Sequence, residues 1–210
     1  MLDAGCGSGQ TMSWFLSQWP GWSAIGIDLA SDGLVPARHA GLTVQRASIL
    51  ALPVPNRSFD LVLAQDVLQH LPLDGGDHAA LTECARILRA GGTLVVRTNA
   101  QTIPRVQDDR EASFRKYEPH ELRAKIESAG FDVIVFGRVN SLPGLAEIPR
   151  ELRAKREQSS SYHGILGEPK DPGRLPGSLL RGWLRMEGRA LAAGWQLPLG
   201  RTIFALCRAR

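Results

Sequence analysis

Long apolar runs, paired cysteines and clustered aromatics are all scarce in this chain, and each scarcity removes a class of function. No apolar run approaches the ~18 residues a membrane helix needs, and no signal peptide precedes the first strand, so a cytoplasmic protein is expected. Cys6, Cys84 and Cys207 are odd in number and far apart, without metal-ligand spacing or a disulfide framework. They read as reduced structural residues, and no metal is expected. Aromatics make up 6% of 210 residues and form no run among basic side chains, which argues against nucleic acid as a partner. What remains is an average apolar share, 43%, in a length that suits one globular domain.

Charge is unevenly spread. From Arg150 onward there are 12 Lys and Arg against 5 Asp and Glu, or +7 of a total of +4, so the first 149 residues carry −3. The basic part is the C-terminal third, where an anionic surface is a candidate partner.

The chain is organised around its first ten residues, Met1-Leu2-Asp3-Ala4-Gly5-Cys6-Gly7-Ser8-Gly9-Gln10, which lead into a helical run from Thr11 to Gln18. A short apolar strand that ends in glycines and opens a helix brings backbone N–H groups and a positive helix end to a ligand. The dinucleotide fingerprint would be G-x-G-x-x-G, but the third glycine comes one residue early, with Gln10 in its place. Asp3 would repel a diphosphate and attract an ammonium. Both points weigh against an NAD-dependent oxidoreductase.

Further along, Ser23 to Asp28 reads as a second strand ending in an acid, where a ribose diol would be held; a helix N-cap for the segment from Ser31 is the alternative. Leu29 would pack on the sugar or base. A helix over 31–40 and a strand over 42–46 precede Ala47-Ser48-Ile49-Leu50-Ala51-Leu52-Pro53, and then Ser58-Phe59-Asp60 begins a nearly continuous apolar strand. That strand runs into Gln65-Asp66-Val67-Leu68-Gln69-His70, and His70 suits either a general base or a structural hydrogen bond. Asp77 is placed to cap a helix from His78 to Arg89, Arg89-Ala90-Gly91-Gly92 stops it, and Thr93 to Asn99 is the fifth strand. A polar loop over 100–116, a helix from Pro119 to Ala129 and a strand from Phe131 to Val139 follow. Leu142 to Arg156 reads as partly helical, 159–177 as a Gly- and Pro-rich loop, and Arg201 to Arg208 as a last strand. Between them, 178–193 forms an amphipathic helix, with Leu180, Trp183, Leu184 and Leu191 on one flank and Arg181, Arg185 and Arg189 in a stripe. The stripe reads as a solvated face or as a peripheral membrane contact.

Leu2 to Gly9, the Leu52 to Asp60 segment, the Gln65 to Leu71 turn and Ala85-Arg86-Ile87-Leu88-Arg89-Ala90-Gly91-Gly92-Thr93-Leu94 together resemble the class I S-adenosylmethionine-dependent methyltransferases, small-molecule type. Ser48 departs from that family's usual Asp and Ala90 from its usual Pro. The resemblance implies an α/β, Rossmann-like, doubly wound and mostly parallel seven-stranded sheet of order 3-2-1-4-5-7-6, with an antiparallel last strand and a helical insertion before it. One domain, 1–210, would divide into a cofactor-binding core (1–139), an insertion (140–200) and the last strand (201–208). S-adenosylmethionine is the implied cofactor, with Asp3, Gly5, Cys6, Gly7, Gly9, Asp28, Leu29, Ser48, Ile49 and Gln65 binding it and His70 as the catalytic base. Arg115, Tyr117 and His120 would reach the substrate, a small-molecule or lipid-like methyl acceptor, unless Arg115 faces solvent. A glycine turn after only four residues, where such families usually carry earlier helices, leads to the expectation of a truncated N-terminus. A non-catalytic cofactor-binding protein, or an inactive fragment lacking its cap, is the alternative function.

Overall fold

The computed structural model describes residues 1–101, 115–142, 177–195 and 197–210. The chain enters on β1 (Leu2–Ala4), three residues that sit between two neighbours, β2 (Ile25–Asp28) and β4 (Phe59–Gln65), both parallel to it. Leu2 and Ala4 have no solvent exposure, as a central strand covered on both faces demands. Beyond β2 lies β3 (Val44–Arg46), and on the other side β5 (Leu88–Asn99) pairs parallel to β4. Between β5 and β6 (Phe131–Val139) lies β7 (Thr202–Ala209), antiparallel to both. The order β3-β2-β1-β4-β5-β7-β6 is the one the resemblance implied.

Side-chain alternation divides the core. Leu2, Ala4, Val62, Ala64, Leu94 and Val96 point to the face covered by α3 (Gly76–Ile87) and α4 (Pro119–Ser128). Met1 and Leu63 point the other way, to Met12 of α1 (Gln10–Gln18), and Asp3 lies on that face because it is registered opposite Leu63. α2 (Ser31–His39) links β2 to β3, and α5 (Gly177–Ala192) packs on β6.

Two features differ from the sequence reading by more than a residue or two at an element's end. α3 ends at Ile87 and passes directly into β5, because Leu88 already pairs with Phe59 while Arg89–Gly92 bulges out before Leu61 meets Thr93. On α5, Leu184 stays 38% exposed at the edge of the flank it shares with Leu180, Trp183 and Leu191, while Glu187 and Leu191 are buried on it. The helix expected over 142–156 and the loop over 159–177 lie mostly outside the described residues, as do 102–114 of the expected polar loop.

Candidate active site

The glycine turn closes on itself. Gly5 and Cys6 both donate their N–H to the Ile27 carbonyl (2.8 and 2.9 Å), Gly9 to the Cys6 carbonyl (2.8 Å) and Gly7 to Asp28 Oδ2 (2.9 Å). The expected row of bare donors is therefore corrected in part: β2 takes up the N–H groups of Gly5, Cys6 and Gly7, and the turn itself takes up that of Gly9. Two glycines do different work here. A Cβ on Gly7 (φ +49°) would meet nothing within 4 Å, so its space is open to a ligand, whereas one on Gly9 (φ +76°) would come within 2.5 Å of Leu42 Cδ1. Gly9 is thus buried where α1 starts beside Leu42 and Ala37, and Cys6 is buried against Gly26, whose Cβ would lie 2.7 Å from the thiol. Burial, with Asp3 and Asp28 adding to it, pushes the Cys6 thiol up to about 12, so it stays protonated.

Asp3 and Asp28, by contrast, are acceptors. Asp3 is 2% exposed, and its Oδ2 has no hydrogen-bond partner. Burial, reinforced by the charge on Asp28, raises its carboxyl to about 6. Such an orphaned oxygen costs about 1–3 kcal/mol, which a cationic donor would recover. Asp28 is fixed through both oxygens, Oδ2 by Gly7 and Oδ1 by the Ala30 N–H (2.8 Å), and each oxygen keeps a further lone pair. It is not the helix cap: Ala30 holds that position on α2. Leu29, 59% exposed, follows it.

The segment after β3 is tied to the Asp28 end of β2 by the Ala47 N–H on the Asp28 carbonyl (3.1 Å). Ser48 turns its hydroxyl onto the Leu50 N–H (3.2 Å), and the Ile49 side chain is buried in the core. What shapes this segment escaped the sequence reading. Glu83 on α3 accepts the Leu52 N–H (2.8 Å), and Arg86 donates to the carbonyls of Leu52 (2.9 Å) and Val54 (3.0 Å) and to Asn56 Oδ1 (2.7 Å). An Arg three residues after a Glu was the available signal.

Gln65 ends β4, half-buried, and Asp66 follows with a left-handed φ of 54°, ion-paired to Arg97. Val67 then reaches the turn, where a Cβ on Gly5 would come within 3.0 Å of its own. A 3₁₀ turn, Leu68–His70, carries His70 exposed on the surface, while Gln69 is buried with its Oε1 accepting the Thr98 hydroxyl (3.0 Å) and the Asn99 N–H (3.3 Å). Beneath lies Asp77. It is inside the first turn of α3, wholly buried, ion-paired to Arg115 and Lys125, and not a cap; Gly75 is. Burial alone would raise its carboxyl, but hydrogen bonds from Lys125 and Arg115 outweigh that and hold it below the usual range. Arg115 also donates to the Leu73 carbonyl (2.8 Å) and its backbone N–H to Gln69 O (3.0 Å), and the Tyr117 hydroxyl lies 3.2 Å from the Leu68 carbonyl. Neither reaches out to a substrate or to solvent, as the sequence suggested; both hold the turn from below, and burial raises the Tyr117 phenol strongly. His120 is exposed on the first turn of α4.

Asp3, Gly7, Asp28, Gln65 and His70 thus collect at the carboxyl ends of adjacent strands, the place where open α/β sheets bind ligands. Two concavities lie away from it, one of about 190 Å³ between α4, β6 and α5 and one of about 230 Å³ bordered by Phe15, Trp19 and Trp22.

Residues 2–96 match the family described as a methyltransferase domain. A probable S-adenosylmethionine-dependent methyltransferase of Mycobacterium tuberculosis H37Rv is 32% identical over 177 residues, which are 82% of this chain and 63% of that protein. Trans-aconitate 2-methyltransferase of an Azoarcus species is 31% identical over 61% of this chain and 48% of its own. The chain spans about half to two thirds of the length of these curated relatives. Among solved structures, phosphoethanolamine N-methyltransferase 2 of Haemonchus contortus, in complex with S-adenosyl-L-methionine, is similar with a TM-score of 0.63 at 20% identity, over the whole of this chain and 48% of that one. The cyclase SpnF has the same TM-score at 21% identity, over 99% of this chain and 74% of its own. These two likenesses speak for the fold.

Proposed function

Because the chain belongs to the class I S-adenosylmethionine-dependent methyltransferases, we propose that it binds S-adenosylmethionine at the glycine turn and transfers the methyl group to a small-molecule or lipid-like acceptor. The observation that supports this reading best is the orphaned Asp3 oxygen, buried beside Asp28 at a turn where a Cβ on Gly7 would fill open space. That donor set fits the cofactor: acids for an ammonium and a diol, and apolar surface for a ring. When bound, the cofactor supplies an electrophilic methyl group on a sulfonium.

Asp3 accepts the ammonium and so gains the partner it lacks. Asp28, held rigid by Gly7 and Ala30, accepts the two ribose hydroxyls, and Leu29 covers the sugar. Ile49 offers its backbone to the ring from a segment that Glu83 and Arg86 keep in shape. Gln65 borders the reacting end. His70 takes a proton at its imidazole if the acceptor must lose one, a contribution on the order of a hundredfold. The larger part of the rate comes from holding two partners aligned with water excluded. A small acceptor agrees with the relative named for trans-aconitate.

Calorimetric titration with S-adenosylmethionine and S-adenosylhomocysteine tests the reading. Saturable binding is expected for the wild-type chain, weakened at least tenfold in Asp28→Ala by loss of charge-assisted hydrogen bonds. A folded chain that binds neither ligand defeats the assignment. Binding without homocysteine-product formation across quinol, lipid and carboxylic-acid acceptors would instead favour a non-catalytic cofactor protein.

A further inference from the structure

α5 is anchored by a buried acid. Glu187, 3% exposed, accepts the N–H groups of Asn140 and Ser141 (2.9 Å each), the Ser141 hydroxyl and Trp183 Nε1 (2.7 Å). Four residues on, Leu191 sits against Gly137, where a Cβ would come within 2.6 Å of its Cδ1. Glu187 therefore lies at the carboxyl end of β6 and Leu191 further back along it, so the helix runs antiparallel to the strand. With its only acid committed inward, the outer face is set by Arg181, Arg185 and Arg189, all exposed, spaced by four and without an acidic partner among the described residues.

These arginines are not alone on the surface. On a 100° helical wheel, Leu184 (38% exposed) borders the stripe on one side and Met186 (53%) and Leu179 (61%) border it on the other. Trp195, just beyond the helix, is 71% exposed. A solvated face has no use for apolar side chains on both borders, and a phosphodiester backbone would leave them in water. A lipid headgroup layer satisfies both: phosphates for the guanidinium groups, and the acyl boundary for Leu, Met and Trp. Charge along the chain is polarised in the same sense: the first 149 residues carry −3 and the remainder, these arginines included, +7.

We propose that the outer face of α5 docks on an anionic lipid surface, with Arg181, Arg185 and Arg189 against headgroup phosphates and their apolar neighbours at the acyl boundary. This goes beyond the methyl-transfer reading and stands without it.

The test is co-sedimentation of the full chain with extruded vesicles of phosphatidylcholine alone, or of phosphatidylcholine and phosphatidylglycerol in equal parts, alongside fluorescence anisotropy with duplex DNA and single-stranded RNA. The chain is expected to pellet with the anionic vesicles and not the neutral ones. Arg181→Glu/Arg185→Glu/Arg189→Glu should lower partitioning on the order of a hundredfold, and Leu179→Ser/Met186→Ser should remove the part that resists high salt. Circular dichroism melts and S-adenosylhomocysteine titration, run on the same samples, separate loss of docking from loss of fold or of the ligand site. If the triple variant does not fold, single Arg→Gln changes should lower partitioning stepwise. Equal partitioning of wild type and folded charge variants overturns the proposal, as does absence of anionic-vesicle binding or tighter binding to nucleic acid than to vesicles.

Discussion

Asp3 carries opposite demands in the free and the liganded chain. Burial first, and Asp28 second, raise its carboxyl from 3.8 to about 6, so the folded chain holds a proton between about pH 4 and 6 that the unfolded chain has released. Stability therefore falls as pH rises through that window and stays lower above it, by about 3 kcal/mol at neutral pH from a shift of about two units. Asp3→Asn is expected to raise the urea midpoint of the unliganded chain at pH 7.5, to change it little near pH 4, and to weaken S-adenosylhomocysteine about tenfold or more. A variant that is not stabilised at pH 7.5 would show that the orphaned oxygen has found a partner. At this scale the sequence points to positions and is silent on their partners. Asp3 and Asp28 follow from position alone, one before the glycines and one at a strand tip. That Gly5, Cys6 and Gly7 spend their N–H groups on β2 depends on the distance between two strands, which no spacing along the chain encodes.

Glu83 and Arg86 show the same limit for an element. Both lie on α3, yet they hold the backbone of Leu52 and Val54, more than thirty positions earlier, while the segment itself reads only as a loop between strands. Arg86→Ala is expected to cost about 1–3 kcal/mol through unsatisfied carbonyls and a half-freed Glu83. Hydrogen exchange should then accelerate first at the Leu52 amide, with the β4 amides unchanged; uniform acceleration over the domain would mean that the pair supports the core and not this segment. The elements themselves were legible because the apolar run of β4 and the glycine turn into α1 are periodic or punctuated locally. The inward register of α5 was read correctly for Leu180, Trp183 and Leu191. What was missed is Glu187, a charge that sequence alone would place in water and that is buried on this flank while Leu184 stays 38% exposed at its edge.

For the molecule as a whole, two buried carboxylates act in opposite senses on its response to acid. Asp77, held below 3.8 by Lys125 and Arg115 against the cost of burial, contributes stability above its unfolded pKa and loses it as pH falls through the lower folded value. Asp3 becomes less costly on the way down from about 6. From these two groups the unliganded chain is expected to be most stable between about pH 4 and 5, measured as the urea midpoint from pH 3 to 8. Asp77→Ala should remove the acid limb and cost about 3–5 kcal/mol by stranding Arg115, 14% exposed, without its counter-charge. The strand order was legible only through the resemblance to a family, since nothing local says that β7 inserts between β5 and β6. That insertion sets a timetable for synthesis. Among the described residues β6 has no partner in the sheet other than β7, so from the moment Val139 leaves the ribosome until Thr202–Ala209 follow, it waits as an open edge. At ~5–20 residues per second the wait is on the order of several seconds, long enough for a chaperone or a second nascent chain to reach it first.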